Sequence, residues 1–402
     1  MRRYLFINVG TGVSHGEEDA IDSLGHGILA SIKDHRPDFI VFFGSEKSKA
    51  VLDSIKKQYK ISFGENLSNY EFVQLENVDD FDSCYECIEN KLKTAMDSEI
   101  IIDYTTGTKT MAISAAICAL LYRKSLSVVS GKRGPKNIVM EGTECVRSVN
   151  LFQAYNRIQF DRAFMAFNSY RFEEAKSHLR SIAGDYDIDK YVQIFNAYDL
   201  WDKFDHLNSF NILKNIKCDK LNNNKGFLGR LSSNNIPELL LAELLNNAER
   251  RIEEGKYDDA VARLYRSIEY ISQIKLSRYS IKTDNIDVDL LKKLGLDTAT
   301  LAKFNGLKNE KQIIKVGLNL GYEILQNLDD ELGKRFLEDK ELKNILSKRN
   351  SSILAHGTRS ICKADAISLL EKGIAYSRII FKDIDNSRDQ GKFPKLHRKG
   401  MI

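Results

Sequence analysis

Proline and tryptophan are scarce: the 402 residues contain four prolines and one tryptophan, and no low-complexity tract or clear internal repeat accompanies them. A proline-rich or repeat-built architecture is therefore excluded. No apolar run approaches the roughly 18 residues that span a bilayer. Met1-Arg2-Arg3 runs straight into a strand-like segment without a leader pattern, so a cytoplasmic protein with no membrane partner is expected. The six cysteines are scattered, and Cys84-x-x-Cys87 has no second pair to complete a zinc site. It reads as part of a helix carrying reduced thiols. An excess of one charge is also missing, since 60 basic residues face 56 acidic ones for a net charge of +4. That balance permits a nucleic-acid partner without demanding one.

What is present is an ordinary globular composition, 43% hydrophobic and 29% charged, in a chain long enough for two or three domains. Over about the first 150 residues short apolar runs alternate with helical stretches. Strands are expected at Tyr4–Val9, Phe39–Phe43, Phe72–Leu75, Ile100–Tyr104 and Leu126–Val129, and a hairpin-like pair at 137–140 and 145–147 closes the unit. Helices are expected up to His35 and at 51–59, 84–96 and 111–121. This alternation predicts a doubly wound, Rossmann-like α/β fold, in which ligands sit beyond the carboxyl ends of the strands.

The loops placed there are Gly10-Thr11-Gly12, Gly44-Ser45 and Thr105-Thr106-Gly107-Thr108-Lys109-Thr110. The first lacks the third glycine of a dinucleotide fingerprint, where His15 stands, and in the last Thr108 separates glycine from lysine, unlike a P-loop. Both fit plain strand-to-helix turns. The threonine loop also gathers four hydroxyls, a flexible backbone and an ammonium at a helix N-terminus, groups suited to an anionic, ribose-bearing ligand.

From about Leu151 the pattern is helical only, with helices expected at 155–167, 171–182 and 191–207. Lys220–Gly226 and Ser232–Asn235 form the most linker-like stretch, and a boundary is expected near Pro237. Beyond it a bundle is predicted from helices at 239–254, 257–274, 310–328, 340–356 and 365–381. Lys392, Lys395, His397, Arg398 and Lys399 read as a frayed, basic tail.

In the fourth of these helices Leu342, Ile345, Leu346, Arg349, Ile353 and His356 recur at steps of three or four, so an arginine and a histidine interrupt an apolar stripe. Such a pair can cleave RNA without a metal. The guanidinium holds a phosphate and stabilises a pentavalent transition state, the imidazole moves a proton near neutral pH, and RNA supplies its own 2′-hydroxyl nucleophile. The competing account is a core histidine beside a capping arginine. A second pair, Arg171 and His178, lies in Arg171-Phe172-Glu173-Glu174-Ala175-Lys176, which reads as an ordinary charged helix. Arg263, Arg266 and Glu269 on the bundle's second helix are candidates to line the site, although a solvated face is the better account of any one of them.

Arg349-Asn350 and Ala355-His356-Gly357, with six residues between the arginine and the histidine, resemble the catalytic motif of HEPN ribonucleases. A strand ending in Asp103-Tyr104, then Thr-Thr-Gly-Thr-Lys-Thr-Met and a small-residue helix, resembles the ligand loop of CARF domains, which sense cyclic oligoadenylates. Together they resemble the CARF-HEPN ribonucleases of type III CRISPR systems. The resemblance implies a CARF-like domain at 1–150, a helical spacer at 151–235, a HEPN-like ribonuclease domain at 236–385 and a basic tail at 386–402. It implies catalysis by Arg349, Asn350 and His356 in a homodimer acting on single-stranded RNA, with no metal or other cofactor required. A cyclic oligoadenylate of four or six adenosines would be the allosteric activator, bound by Gly10, Thr11, Gly12, Gly44, Ser45, Thr105, Thr106, Gly107, Thr108 and Lys109. The alternatives are a ligand-sensing regulatory protein without nuclease activity and a ring nuclease degrading the activator through Thr106 and Lys109.

Overall fold

Continuous apolar runs suit strands buried on both faces, as in β1 (Arg3–Val9), β2 (Phe39–Gly44) and β4 (Glu99–Asp103), while the more polar β3 (Tyr70–Gln74) and β5 (Ser125–Ser130) flank them. The computed structural model describes residues 2–11, 18–133, 139–149, 151–182, 186–234, 236–307 and 314–397. It divides into two units, Met1–Ile158 with Ile182–Tyr186, and Gln159–Ser181 with Asp187–Ile402.

In the first unit the strands are parallel and are linked by α1 (Glu18–His35), α2 (Lys49–Phe63), α3 (Phe81–Thr94) and α4 (Lys109–Leu121). Side chains alternate between the two faces. Leu5, Ile7, Val9 and Phe42 pack with Ile28, Ile32, Val51 and Ile55 of α1 and α2. Phe6, Val41, Phe43 and Ile102 pack with Ile88, Leu92, Met111 and Ala115 of α3 and α4. The expected doubly wound, Rossmann-like architecture is therefore present. A sixth strand, β6 (Cys145–Val149), pairs antiparallel with β5 and gives the lateral order β3-β2-β1-β4-β5-β6. The expected hairpin does not form: Cys145–Val149 pairs with β5, whereas Val139 bridges Arg133, and 137–138 lie outside the described residues. The edge of β5 offered the longer ladder. Cys84 and Cys87 both lie on α3, and burial pushes the thiols of Cys84 and Cys118 up to about 11 and about 12. Both stay protonated and inert.

The second unit is helical. Its elements are α5 (Phe152–Asn168), which begins in the first unit, α6 (Phe172–Arg180), α7 (Asp189–Asp202), α8 (His206–Leu213), α9 (Asn222–Asn234), α10 (Pro237–Glu253), α11 (Tyr257–Arg278), α12 (Val288–Lys293), α13 (Thr298–Gly306), α14 (Leu318–Asn327), α15 (Glu331–Glu338), α16 (Lys340–Asn350), α17 (Lys363–Ile380) and α18 (Ile384–Gly391). Of the helix expected over 310–328 only Leu318–Asn327 is helical among the described residues.

A repeated turn that the sequence does not announce builds this unit. Tyr170, Phe204, Gly255 and Asp329 all have positive φ, and the residue after each donates its amide into the helix just ended. These bonds are Arg171 N to Ala166 O (2.9 Å), Asp205 N to Leu200 O (2.9 Å), Lys256 N to Arg251 O (2.8 Å) and Asp330 N to Leu325 O (2.9 Å). Each left-handed residue thus caps one helix and reverses the chain into the next.

Two expectations fail here. The linker-like stretch is helix α9, with Leu221, Phe227 and Leu228 fully buried. Its asparagines are held by tertiary bonds rather than by propensity: Asn224 donates to the carbonyls of Gln390 (2.9 Å) and Lys392 (3.0 Å) and accepts from the Tyr198 hydroxyl (2.6 Å). Nor is the tail frayed up to His397. Leu396 is buried and exchanges backbone bonds with the Asn168 amide at 2.8 and 2.9 Å. Phe393 stacks against Tyr198, Trp201 and the Arg250 guanidinium, at 4.8, 4.9 and 3.9 Å. Lys392 and Lys395 stay exposed, and Arg398 and Lys399 lie outside the described residues.

Beneath the tail is a buried ion network. Arg250 pairs with Asp202 (2.8 Å) and Glu243 (2.6 Å), and Arg251 reaches the other oxygen of Asp202 (2.5 Å). Removing one partner of such a network strands the others in a dry interior. Asp202→Ala is expected to cost about 3–5 kcal/mol, and Leu396→Ala about 2–5 kcal/mol for the cavity it leaves. Urea unfolding curves of the two variants check both, and an unchanged midpoint for Leu396→Ala would mean that the tail does not hold in solution.

Candidate active site and ligand crevice

The lateral order reverses between β1 and β4, so the loops leaving these two strands face each other. They touch at Gly10 and Gly107: a Cβ on Gly10 would lie 2.9 Å from the Gly107 nitrogen. Gly107 has φ of 102°, a conformation that side chains resist. Glycine is required at both places, one for approach and one for conformation.

The threonines mostly serve the protein itself. Thr106 donates to the carbonyl of Asn8. Thr108 donates to Val78 O (2.6 Å) and, as the N-cap of α4, accepts from Met111 N (3.2 Å). Thr105 accepts from Val129 N (2.7 Å), while its own amide donates to Asp103 (2.8 Å). What remains presented is the Gly107 backbone, the N-terminus of α4 and the exposed Lys109, which has no ion-pair partner among the described residues. Gly44 and Ser45 lie at the end of the neighbouring β2, where Ser48 donates to Val9 O (2.8 Å) and ties that loop to the end of β1. Thr11 is exposed, and Gly12 lies outside the described residues. Sequence reasoning passed over Asn8, buried under Gly107 with its Nδ2 lacking a hydrogen-bond partner. A polar residue inside an apolar strand, two positions before a glycine, was the available signal.

The second candidate site begins with α16. Asp339 caps it, accepting from Leu342 N (3.0 Å), and also receives Lys372 (3.0 Å) and Tyr376 (3.3 Å) from α17. Burial opposes ionisation of Asp339, but these donors outweigh it and hold its pKa below the ordinary value. At the other end Lys348 pairs with Asp365 (2.7 Å). Leu342, Ile345 and Leu346 fill the buried face.

The expected continuous helix to His356 does not exist, and this corrects the single-face reading. The helix ends at Asn350, and Ile353 is 68% exposed. Ser352 is buried and bridges Arg359, and a Cβ on Gly357 would overlap the Ser351 carbonyl, so glycine lets this loop close. The closure returns the chain to the helix end, where His356 N donates to Asn350 O (3.2 Å). A turn, rather than a shared helical stripe, brings residues 349, 350 and 356 together.

Arg349 is half-buried, with its guanidinium 4.3 Å from the ring centre of Tyr265 on α11. It has no carboxylate partner among the described residues, makes one long bond to Asn350 Oδ1 (3.3 Å), and its buried Nε is unpaired. His356 is exposed. A charge with most of its donors unspent among the described residues, on the same closed turn as an accessible imidazole, is equipped to receive a phosphodiester. Of the other candidates, Arg263 bonds Asn247, and Arg266 pairs with Glu269 (2.7 Å). Arg171 pairs with Glu174 (3.1 Å), and His178 meets Gln159 (2.9 Å), as on an ordinary helix face. Tyr265 escaped sequence reasoning because nothing local marks it. Burial, then Glu269, raises its pKa against the pull of Arg349.

The profile of the Csm6 HEPN domain matches residues 232–377, and that of the Csm6 6H domain matches residues 155–234, so the two run continuously over more than half of the chain. The structure of Enterococcus italicus Csm6 bound to cyclic hexa-2′-fluoro-hexa-dAMP has the same fold, with a TM-score of 0.66 at 15% identity over 97% of this chain and 98% of that one. Can2 from Sulfobacillus thermosulfidooxidans in complex with cyclic tetra-adenylate aligns over 49% of this chain and 58% of its own at 10% identity, and its TM-score of 0.26 carries no argument. No curated protein matches in sequence. Among the described residues no helix is long and apolar enough to cross a membrane.

Gly10→Ala is expected to drive the threonine loop away from β1, with faster amide hydrogen exchange at Thr105 and Met111 as the readout. Unchanged protection would show that the crevice tolerates a side chain there.

Proposed function

The chain belongs to the Csm6 family of CARF-HEPN proteins, and from that premise we propose that it is a cytoplasmic single-stranded endoribonuclease of type III CRISPR defence, activated by a cyclic oligoadenylate and independent of metal. Its domains are the CARF-like 1–150, the spacer 151–235, the HEPN-like 236–385 and the tail 386–402. The observation that carries the reading is Arg349, a half-buried guanidinium without a carboxylate partner among the described residues, joined by a closed turn to exposed His356 inside the HEPN-matched segment.

The RNA 2′-oxygen attacks the adjacent phosphorus and the bond from phosphorus to the 5′-oxygen breaks, leaving a 2′,3′-cyclic phosphate and a 5′-hydroxyl. The 2′-hydroxyl loses a proton and the leaving oxygen gains one. Arg349 stabilises charge on the phosphoryl oxygens, His356 positions or protonates groups at the scissile bond, and Asn350 orients one of them. The active form is a homodimer in which two such pairs form one cleft. In support, Ile353 and Leu354, beside His356 in sequence, are 68% and 48% exposed, and α4 exposes Ile113 and Leu121 at 54% and 58%. The activator, with four or six adenosines, binds at Gly10, Thr11, Gly12, Gly44, Ser45 and Thr105–Lys109 and shifts the dimer toward the competent arrangement. Degradation of the activator by Thr106 finds little support, since that hydroxyl is buried and spent on Asn8.

Labelled single-stranded RNA, incubated with cyclic tetraadenylate or hexaadenylate in the presence of chelator, tests this. Cutting is expected with one of the two, and Arg349→Ala and His356→Ala are each expected to slow it about 100-fold or more while retaining activator affinity. Undiminished cutting by Arg349→Ala overturns the site. Cutting lost on chelation overturns the metal-free route, and activator binding without any cutting by the parent protein favours a pure sensor.

A further inference from the structure

Arg349 owes its orientation to an aromatic ring rather than to a carboxylate, and the difference is chemical. A carboxylate within reach would take two of the guanidinium's donors and cancel its charge. A ring face attracts the cation through its quadrupole, yet uses none of the in-plane N–H groups and leaves the charge intact. Tyr265 offers such a face 4.3 Å from the Arg349 guanidinium carbon. The ring belongs to a central helix: Tyr265 is half-buried on α11, whose Leu264 and Ile268 are fully buried, and α11 packs against α10, α14 and α17. Arg349, by contrast, stands in the last turn of α16, one residue before the helix ends, where its own backbone constrains it least. Among the described residues its buried Nε has no partner, and Nη1 makes only the 3.3 Å bond to Asn350. Among its contacts the Tyr265 ring is therefore the one that can fix the guanidinium plane.

We propose that Tyr265 is a positioning residue for RNA cleavage, holding the Arg349 guanidinium flat so that its free edge meets the phosphodiester in the transition state. The proposal rests on the reading of Arg349 as the phosphate-binding group. It assigns the work to the ring, so Tyr265→Phe retains function, whereas Tyr265→Leu fills similar space without a π face and loses it.

The test measures kcat and KM for single-stranded RNA, with whichever of cyclic tetraadenylate and hexaadenylate activates the parent protein, alongside thermal unfolding. Tyr265→Leu is expected to lower kcat about 5- to 30-fold, the equivalent of one cation–π contact, with little change in KM or in the unfolding temperature. Tyr265→Phe is expected to stay within about twofold of the parent. Equal losses in both variants, a fall in kcat that follows the unfolding temperature, or full activity in Tyr265→Leu overturns the role of the ring. Arg349→Ala, run beside them, separates the two levels. If it abolishes cutting while Tyr265→Leu does not impair it, this inference alone fails, and if it cuts like the parent, the reading of the site fails with it.

Discussion

The helical unit depends on one buried guanidinium. Arg250 of α10 is charged in a site almost closed to water, and each of its contacts belongs to a different part of the chain: Asp202 closes α7, Glu243 lies two turns back on α10, and Phe393 belongs to the C-terminal strap. Burial by itself would pull down the pKa of Arg250, but Glu243 and Asp202 outweigh it and raise it. An ion in such a place specifies position more than it adds stability, because any displacement that breaks a pair leaves a charge without solvent or partner. The consequence is a fixed α7–α10 junction. α11, which carries Tyr265, follows α10 through the Gly255 turn and packs along it.

The sheet unit obeys a different constraint, close backbone approach. Its crevice exists because neither Gly10 nor Gly107 has a side chain, and because the hydroxyls of Thr106 and Thr108 bind carbonyls of β1 and of the segment before α3. A loop anchored in this way presents its amides and Lys109 without first having to be ordered, which lowers the entropic cost of holding an anion.

The strands were legible because parallel strands buried on both faces need continuous apolar runs, and Leu5–Val9 or Ile100–Ile102 satisfy no other common structure so well. The bundle's turns were hidden. Among the described residues four of the six left-handed positions in this unit are filled by Tyr170, Phe204, Ser280 and Asp329, where glycine would have marked them, so helix ends and helix middles looked alike. The asparagine-rich start of α9 suggested a linker because the carbonyls that hold Asn224 are more than 160 residues away. In the tail the lysines outvoted Phe393 and Leu396, the two positions that dock. At the candidate active site the residues were selected by their chemistry, and the local geometry expected for them was misread. Ile353 continues the helical spacing of Leu342, Ile345 and Leu346 only by coincidence, and Gly357, which looks like a helix stop, in fact permits a turn to close.

Arg250 and Arg349 show how one side chain is directed to opposite ends. In the first, two carboxylates take Nε and Nη2 and neutralise the charge, although Nη1 is left without a partner among the described residues. In the second, an aromatic ring lies 4.3 Å from the guanidinium carbon, the one side-chain bond among the described residues goes to a neutral amide at 3.3 Å, and no carboxylate among them pairs with it. Both guanidiniums lie over an aromatic ring, Phe393 for one and Tyr265 for the other, so stacking does not distinguish them. The carboxylate does. A half-buried arginine kept in place yet unneutralised is less stable than it would be with a partner, and a fold retains that deficit where an incoming anion makes it good. The position of this deficit, at a helix end closed against an exposed histidine, is what separates a site from a well-packed surface.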